Sequence, residues 1–484
     1  MKIKYLNEIL DRKSVSGNPE IPAIPIGRID YDSRKVTDGS LFIAITGFAS
    51  DGHGFLREAA KRGAAAAIVE RKDDDINIPQ FVVENSRVMM ADISANFYHE
   101  DISKMRLIGI TGTNGKTTTS FLVKSILESA GLKCGLIGTI HYDISGRTTK
   151  AWNTTPESAD ICHFLYQMHQ GGQSACVLEV SSHGLALHRV DGLYFEVGVF
   201  TNLTQDHLDF HHDMEDYFEA KKRLFLHLQS TGSAVINTAD PFGRRLSEDT
   251  DHDLIDFAAG NFEAAVSVTD WQSSIKGLEF VAKTPLGPVE IHSPLLGDFN
   301  VENIIAAIAT GIAMKFDLKT IRRGIESVHG IPGRLESLQI EGNRTVVIDY
   351  SHTPDALKKA LLVLQRLTRN NLWVIFGCGG DRDRAKRPLM GKAAGEIADR
   401  IIVTSDNPRS EDPVAIIDHI IHGMTVDDRV YIEPDRKQAI LYSLEHTESG
   451  DTILIAGKGH EDYQEIGGTR YPFNDRKIVE GFFQ

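Results

Sequence analysis

The sequence predicts an α/β protein of three domains: a small α/β N-terminal domain over 1–105, a central P-loop ATPase-like α/β domain over 106–334 and a C-terminal Rossmann-like α/β domain over 335–484. Three observations carry this. A chain of 484 residues exceeds one ordinary domain. Apolar runs of strand length alternate with helical stretches in two separate series, the signature of parallel sheets. Between the first run of the earlier series and its helix lies a glycine-rich turn, Gly112-Thr113-Asn114-Gly115-Lys116.

The elements follow in order. SLFIAITG and AAAAIVE read as strands, LREAAKRG and SRVMMADISANFYHE as helices, giving the small first unit. RLIGITG is a buried strand entering a glycine turn, TTTSFLVKSILESAG a helix stopping on Gly131, and CGLIGTI the next strand, together a βαβ unit. ACVLEV, YFEVGVFTNL and GSAVINT continue the sheet, with MEDYFEAKKRLFLHL as a helix among them. After HGIPGRLE the pattern restarts: TVVIDY, LWVIFGCGG, RIIVTS, RVYIEP and DTILIAGKG are five apolar runs, separated by helices such as DALKKALLVLQRL and LMGKAAGEIA. That is a second doubly wound domain.

Composition narrows the function. The formal charge of −15 argues against a surface built for nucleic acid or anionic lipid, so anions must be bound locally. Cys134, Cys162, Cys176 and Cys378 form no C-x-x-C pair, which suggests reduced, buried thiols and not a disulfide framework or a cysteine zinc site. The opening MKIKYLNEILDRKS mixes charges with apolar residues, and no run approaches the ~20 residues that span a bilayer; a cytoplasmic protein is expected.

The segment Ile110-Thr111-Gly112-Thr113-Asn114-Gly115-Lys116-Thr117-Thr118 is placed where backbone N–H groups and a helix N-terminus converge on an anion. Lys116 would reach β- and γ-phosphates, and the Thr117 hydroxyl would sit on Mg²⁺. The strict phosphate-loop pattern wants glycine at 110; this chain has Ile110, with its extra glycine at 112. Such a loop implies nucleoside triphosphate binding and leaves motor, switch, kinase and ligase chemistry open. Glu179 ends the strand ACVLEV, where a carboxylate would complete a metal shell. His207 lies among Asp206, Asp209, His211 and His212, a cluster that spacing alone reads either as a transition-metal site or as a solvated acidic loop.

GTNGKTT resembles the phosphate-loop variant of the Mur ligases, and the resemblance runs the length of the chain. NTTP at 153–156, EVSSHGL at 179–185, TNLTQDHLDFH at 201–211, YFEAKKRLF at 217–225, GDFNVENIIAA at 297–307, PGRLE at 332–336, DYSHTPDAL at 349–357, GGDRDRAKRPLM at 379–390, SDNPRSEDP at 405–413 and AGKGHEDYQ at 456–464 follow in order. Their spacing is similar to that of the members adding the third amino acid. The resemblance implies an ATP-dependent ligase that adds meso-2,6-diaminopimelate to the D-Glu of UDP-N-acetylmuramoyl-L-alanyl-D-glutamate. It further implies a monomeric, cytoplasmic enzyme of peptidoglycan precursor synthesis, with Mg²⁺ as cofactor and ATP as co-substrate.

Residue by residue, the resemblance makes Lys116, Glu179, His207 and Lys221 catalytic, with Thr117, Glu179, His207 and Lys221 holding Mg²⁺ and Lys221 carbamylated to N6-carboxylysine. Lys222 is the neighbouring competitor; without the family, either would read as a lysine on an amphipathic helix face. Besides the loop from Gly112 to Thr118, Asn300, Asn303, Arg334 and His352 match nucleotide contacts, though cap and turn roles fit them equally. Ser351 stands where the family usually has alanine. Ser33, beside Asp32 and Arg34, matches the uridine site of a UDP-binding N-terminal domain. The loop Gly47-Phe48-Ala49-Ser50-Asp51-Gly52 replaces the HQA of several relatives. Thr154, Thr155, Ser181 and Arg189 match groups holding the UDP-muramoyl-dipeptide.

Asp406-Asn407-Pro408-Arg409 corresponds to the string that marks diaminopimelate-adding members, with Arg382, Gly457 and Glu461 completing the pocket. An arginine fork pairs two-to-two with a carboxylate, so a ligand lacking that carboxylate leaves Arg409 unpaired. Glu461 suits the distal ammonium. As bare sequence, the same string is also an Asx turn with proline. Two other readings stay open here: a lysine-adding or other Mur-type ligase, the folylpolyglutamate synthases included, and a P-loop nucleotide-binding protein that does not ligate.

Overall fold

The structure is a computed structural model that describes residues 2–47, 50–208, 210–260 and 263–483. It resolves into two compact units. One is built mainly of Met1–Ala258 with Ala306–Gly324, the other of Ser267–Ile305 and Ile325–Gln484.

In the first unit a four-stranded parallel sheet runs in the order Arg28–Asp30, Ser40–Ile43, Ala64–Val69, Gln80–Val82. Helix Ser86–Ile102 closes it, capped by the Asn85 side chain on the amides of Arg87 and Val88. Beyond lies the large sheet. Its parallel strands stand in the order Cys134–Ile137, Ala175–Glu179, Arg106–Thr111, Phe195–Phe200, Leu228–Asn237, Asp253–Ala259. Helices cover both faces of such a sheet, which is why these strands are near-continuous apolar runs; Ile108, Ile110, Val177, Val197 and Val199 are fully buried. The strand bearing the glycine turn is central, with Glu179 ending the strand beside it.

In the second unit all five apolar runs of the C-terminal series enter one parallel sheet, in the order Arg344–Asp349, Thr452–Ala456, Leu372–Phe376, Arg400–Val403, Val430–Ile432, with Glu336–Ile340 as an antiparallel edge. Three features go beyond the sequence reading. An antiparallel hairpin, His141–Ile144 with Arg147–Lys150, extends the large sheet. The strands Trp271–Ser274, Gly277–Ala282 and Val289–Ser293 form a small antiparallel sheet. A second hairpin, Tyr463–Ile466 with Thr469–Pro472, follows the last parallel strand.

All four cysteines are free and buried, as composition suggested; burial pushes the Cys162 thiol up to about 12. Among the described residues no helix is long and apolar enough to cross a membrane. The second unit buries a complete ion pair, Arg436 with Asp475, at 2.9 and 2.8 Å with both side chains 0% exposed. It ties helix Arg436–His446 to helix Asp475–Phe482. Removing one partner strands a buried charge, at a cost of about 3–5 kcal/mol. Asp475→Asn is therefore expected to accelerate amide hydrogen exchange throughout Thr452–Ala456, whose last carbonyl Arg436 also holds; exchange unchanged from wild type would show the pair to be dispensable.

Candidate active site

The glycine turn leaves strand Arg106–Thr111 and enters helix Lys116–Ser129, whose N-cap is Gly115 at φ 87°. Gly112 stands at φ 144°, and a Cβ there would lie 1.9 Å from Thr201 Oγ1, so only glycine fits. The segment after strand Phe195–Phe200 clasps this loop. Thr113 N donates to Asn202 O and Asn114 N to Asn202 Oδ1, each at 2.9 Å; Thr201 Oγ1 donates to Asn114 O at 2.6 Å. Thr113 Oγ1 meets Thr204 O and the Tyr217 hydroxyl, both at 3.2 Å. Thr118 is buried in the first helical turn.

Two lysines converge on one carbonyl. Lys116 Nζ donates to Gly112 O at 2.8 Å and Thr113 O at 2.9 Å, and Lys221 Nζ donates to the same Gly112 O at 2.8 Å. Lys221 is 1% exposed, and its Nζ lies 4.5 Å from the Tyr217 ring centre. Burial, then the neighbouring Lys116 charge, holds its ammonium well below the usual lysine range. Lys222 turns away to pair with Asp249 at 2.6 Å. Of the two competing lysines, Lys221 is the one facing the phosphate loop.

Glu179 is fully buried. Its Oε2 accepts from Thr117 Oγ1 at 3.0 Å and Thr139 Oγ1 at 2.8 Å, and its Oε1 from Thr139 N at 3.1 Å. A threonine hydroxyl and a carboxylate in contact are hard oxygen donors, the set that fits Mg²⁺. His207 sits in the left-handed region at φ 54°, half-exposed, its ring 4.9 Å from that of His183. His211 is buried, with Nδ1 3.4 Å from Asp216 Oδ2. Asp209 lies outside the described residues. Among those described, no three His, Cys, Asp or Glu side chains are grouped to hold a metal.

Thr154, Thr155, Ser181 and Arg189 come together beside Glu179. Thr155 Oγ1 donates to Glu179 O at 2.9 Å and accepts from Ser181 N; Thr154 Oγ1 lies 3.1 Å from Thr139 Oγ1. Ser181 Oγ caps helix Ser182–Ala186. Arg189 donates to Thr155 O at 2.9 Å and pairs with Glu157 at 3.0 Å, and Glu157 also binds Arg87 from the N-terminal segment. Ser33 belongs to another local network, its hydroxyl donating to Glu58 at 3.1 Å. Asp32 pairs with Arg34 at 2.8 Å. Of the loop from Gly47 to Gly52, Phe48 and Ala49 lie outside the described residues; Gly47 N donates to Ser50 O at 2.9 Å.

The second unit holds the remaining residues. Asn300 is buried, bonded to Leu296 O and Asn303 at 2.7 Å each. Arg334 and His352 are exposed, His352 Nδ1 lying 2.9 Å from Tyr350 O. Asp349, bonded by Ser351 and the Leu335 amide, has its carboxyl pushed up by burial. Asp406 and Asn407 are buried after strand Arg400–Val403. Pro408 O packs where Gly380 leaves no side chain. Arg409 adopts φ 51° and donates from Nη1 to Gly380 O at 2.6 Å. Glu461 accepts from Asn407 Nδ2 at 2.9 Å, and Gly457, at φ 112°, brings its backbone against the Asp406 carboxylate. Arg382 is exposed beside this cluster's Gly379.

The chain matches the Mur ligase family catalytic domain over 25–110, the Mur ligase middle domain over 110–311 and the Mur ligase glutamate ligase domain over 333–459. It is 40% identical to a UDP-N-acetylmuramoyl-L-alanyl-D-glutamate--2,6-diaminopimelate ligase of Geobacter metallireducens, covering 100% of this chain and 98% of the relative. The ligase of the same name from Geobacillus thermodenitrificans is 42% identical over 96% and 95%. The chain belongs to the Mur ligase family. A solved structure of a ligase with that same name superposes on this Mur ligase with TM-score 0.73 at 34% identity, covering 98% of each chain. A Mycobacterium tuberculosis folylpolyglutamate synthase reaches 0.61 at 19% identity over 77% of the chain, a likeness of fold alone.

The sequence reading of this Mur ligase passed over Thr139, Asn202, Glu157 and Lys458. Each partners a chosen residue from a distant part of the chain, and the signal available for Asn202 was its place inside the quoted TNLTQDHLDFH string. In Gly112→Ala the new methyl would collide with Thr201 and break the clasp; ATP affinity measured calorimetrically is expected to fall at least about tenfold, the scale of one lost charge-assisted contact. Adding Thr201→Ala should recover part of the loss, and unchanged affinity in the single variant would refute this account of the loop.

Proposed function

We propose that this Mur ligase joins an amine of meso-2,6-diaminopimelate to the D-Glu carboxylate of UDP-N-acetylmuramoyl-L-alanyl-D-glutamate, driven by ATP, as a monomer in cytoplasmic peptidoglycan precursor synthesis. The relatives that match along the whole chain carry that name, and the residues supply a chemical reason. A carboxylate is a poor electrophile, so it must first attack the γ-phosphate and become an acyl phosphate, releasing ADP. The incoming amine then displaces phosphate. Such chemistry needs positioning and charge neutralisation more than a nucleophilic side chain.

The loop from Gly112 to Thr118 binds the phosphates through the Lys116 ammonium and the amides other than those of Thr113 and Asn114, which Asn202 holds. Thr117 and Glu179 would hold Mg²⁺, with His207 and Lys221 contributing; when bound, the ion supplies charge neutralisation at the transferring phosphoryl group. Asn300, Arg334 and His352 take the nucleoside side. Ser33 serves the uridine, while Thr154, Thr155, Ser181 and Arg189 orient the muramoyl-dipeptide. Lys221 is carbamylated: an amine of 1% exposure, without an ion pair among the described residues and crowded by Lys116, gains a compatible charge by becoming an anion.

Arg409 carries the choice of amino acid. One guanidinium nitrogen donates to Gly380 O at 2.6 Å and Nε lies 4.0 Å from Glu465 Oε2; the rest of the fork would pair with a carboxylate that diaminopimelate has and lysine lacks. A lysine-adding member would have no use for this arrangement.

Phosphate release with the UDP-muramoyl-dipeptide and ATP is expected to be selective for meso-diaminopimelate over L-lysine. Arg409→Ala should lower kcat/KM for diaminopimelate by about 100-fold, the scale of a lost two-point carboxylate contact. Equal turnover of lysine by the wild type would overturn the specificity reading, and no turnover with either amino acid would overturn the ligase assignment. Lys221→Ala is expected to cost about 100-fold in turnover, as removal of one electrostatic contact in a catalytic site does, and the wild type in bicarbonate should be heavier by the mass of CO₂. Wild-type turnover in Lys221→Ala would rule the modification out.

A further inference from the structure

Lys458 has no part in the pocket as read above, yet it stands at its centre. It is 0% exposed, and its Nζ donates to Asn407 Oδ1 at 2.9 Å, Glu461 Oε2 at 3.2 Å and Asp406 Oδ1 at 3.4 Å. These bonds settle the Asn407 amide. Its oxygen accepts from Lys458 and from the Glu465 amide at 2.9 Å, so its Nδ2 is the atom that donates to Glu461 Oε2, at 2.9 Å. Both donors to Glu461 act on one oxygen; among the described residues Oε1 accepts no hydrogen bond, and the side chain is 16% exposed. Hairpin Tyr463–Ile466 with Thr469–Pro472 closes the network from the far side, through Gln464 Nε2 on Asp406 O at 2.8 Å and Arg409 N on Glu465 O at 3.0 Å.

We infer that Lys458 is a positioning residue for the amino-acid substrate: directly and through Asn407 it fixes Glu461 with one carboxylate oxygen presented to the distal ammonium of the diamino acid. The inference rests on the diaminopimelate reading of the preceding subsection. Its physical basis is charge. Asp406 and Glu461 are two carboxylates gathered around one buried ammonium, and without it they repel each other, while Asn407 Oδ1 keeps only the Glu465 amide and Glu461 Oε2 keeps only Asn407 Nδ2. Glu461 is then held by one donor in place of two beside a repelling carboxylate, and an ammonium gains less from meeting it.

The test compares meso-diaminopimelate with L-2-aminopimelate, which keeps both carboxylates and lacks only the distal amine. The wild type is expected to prefer diaminopimelate in kcat/KM by roughly tenfold or more, the scale of one hydrogen bond to a charged group. In Lys458→Met that preference should fall to near unity, with KM for ATP unchanged. A merely structural lysine would depress both amino acids alike and leave the ratio intact, and that result overturns the inference. Should Lys458→Met not fold, Lys458→Gln decides: it keeps a donor for Asn407 and Glu461 and removes only the charge, so loss of the preference supports the inference and its retention refutes it. A wild type that turns over neither amino acid refutes the diaminopimelate reading and the inference together, whereas a discriminating wild type with a discriminating variant refutes the inference alone.

Discussion

Two ammonium groups share the carbonyl oxygen of Gly112, and the rest of the phosphate loop is organised around that contact. Like charges this close in a buried place are costly, which is why the Lys221 ammonium is held well below the usual lysine range by burial and then by Lys116. The arrangement favours whatever brings negative charge. Phosphate groups would do so at Lys116, and a carbamate would do so at Lys221, turning its repulsion with Lys116 into attraction. The glycine at 112 is bound to the same constraint, because its carbonyl must face both lysines while its α-carbon touches Thr201.

Glu179 shows the opposite polarity solved by the same economy of partners. Its buried carboxylate is held by hydroxyls and an amide from Thr117 and Thr139. Neutral donors keep the carboxylate in place without consuming its charge, which leaves it suited to a cation. Thr154, Thr155 and Ser181 extend these hydroxyl contacts outward, so residues matched to the sugar-nucleotide and residues matched to the metal belong to one hydrogen-bonded network.

The parallel strands were legible because burial on both faces leaves them few polar positions; Ile108 and Val177 could not be read otherwise. The antiparallel sheet from Trp271 to Ser293 was passed over although VEIHS alternates apolar with polar residues; WQSS gives no such signal, and GLEFVA breaks the alternation with an exposed Val281. The two hairpins were signalled and passed over: Ser145-Gly146 and Gly467-Gly468 both have positive φ at the two central residues, the requirement of a tight turn between antiparallel strands. At the site, the resemblance singled out Lys221 over Lys222, and three dimensions supply the physical reason, since adjacent helix positions point in different directions and Lys222 pairs with Asp249. Lys458 was passed over although it lies inside the quoted AGKGHEDYQ string: a lysine between two glycines reads as surface, and its complete burial shows otherwise.

The fold does not choose the amino acid. A folylpolyglutamate synthase shares this architecture at 19% identity, so specificity has to reside in short segments that the scaffold tolerates. On the proposed reading the loop from Asp406 to Arg409 is such a segment, but its geometry is not its own. Arg409 holds a left-handed backbone that hairpin residues Glu465 and Gly467 pin from either side, and Asn407 takes its orientation from Lys458 and the Glu465 amide. A fixed arginine fork and a fixed carboxylate can discriminate only if neither relaxes toward the wrong ligand. On that proposal the sequence string labels a site whose geometry depends on hydrogen bonds from the hairpin and a buried lysine.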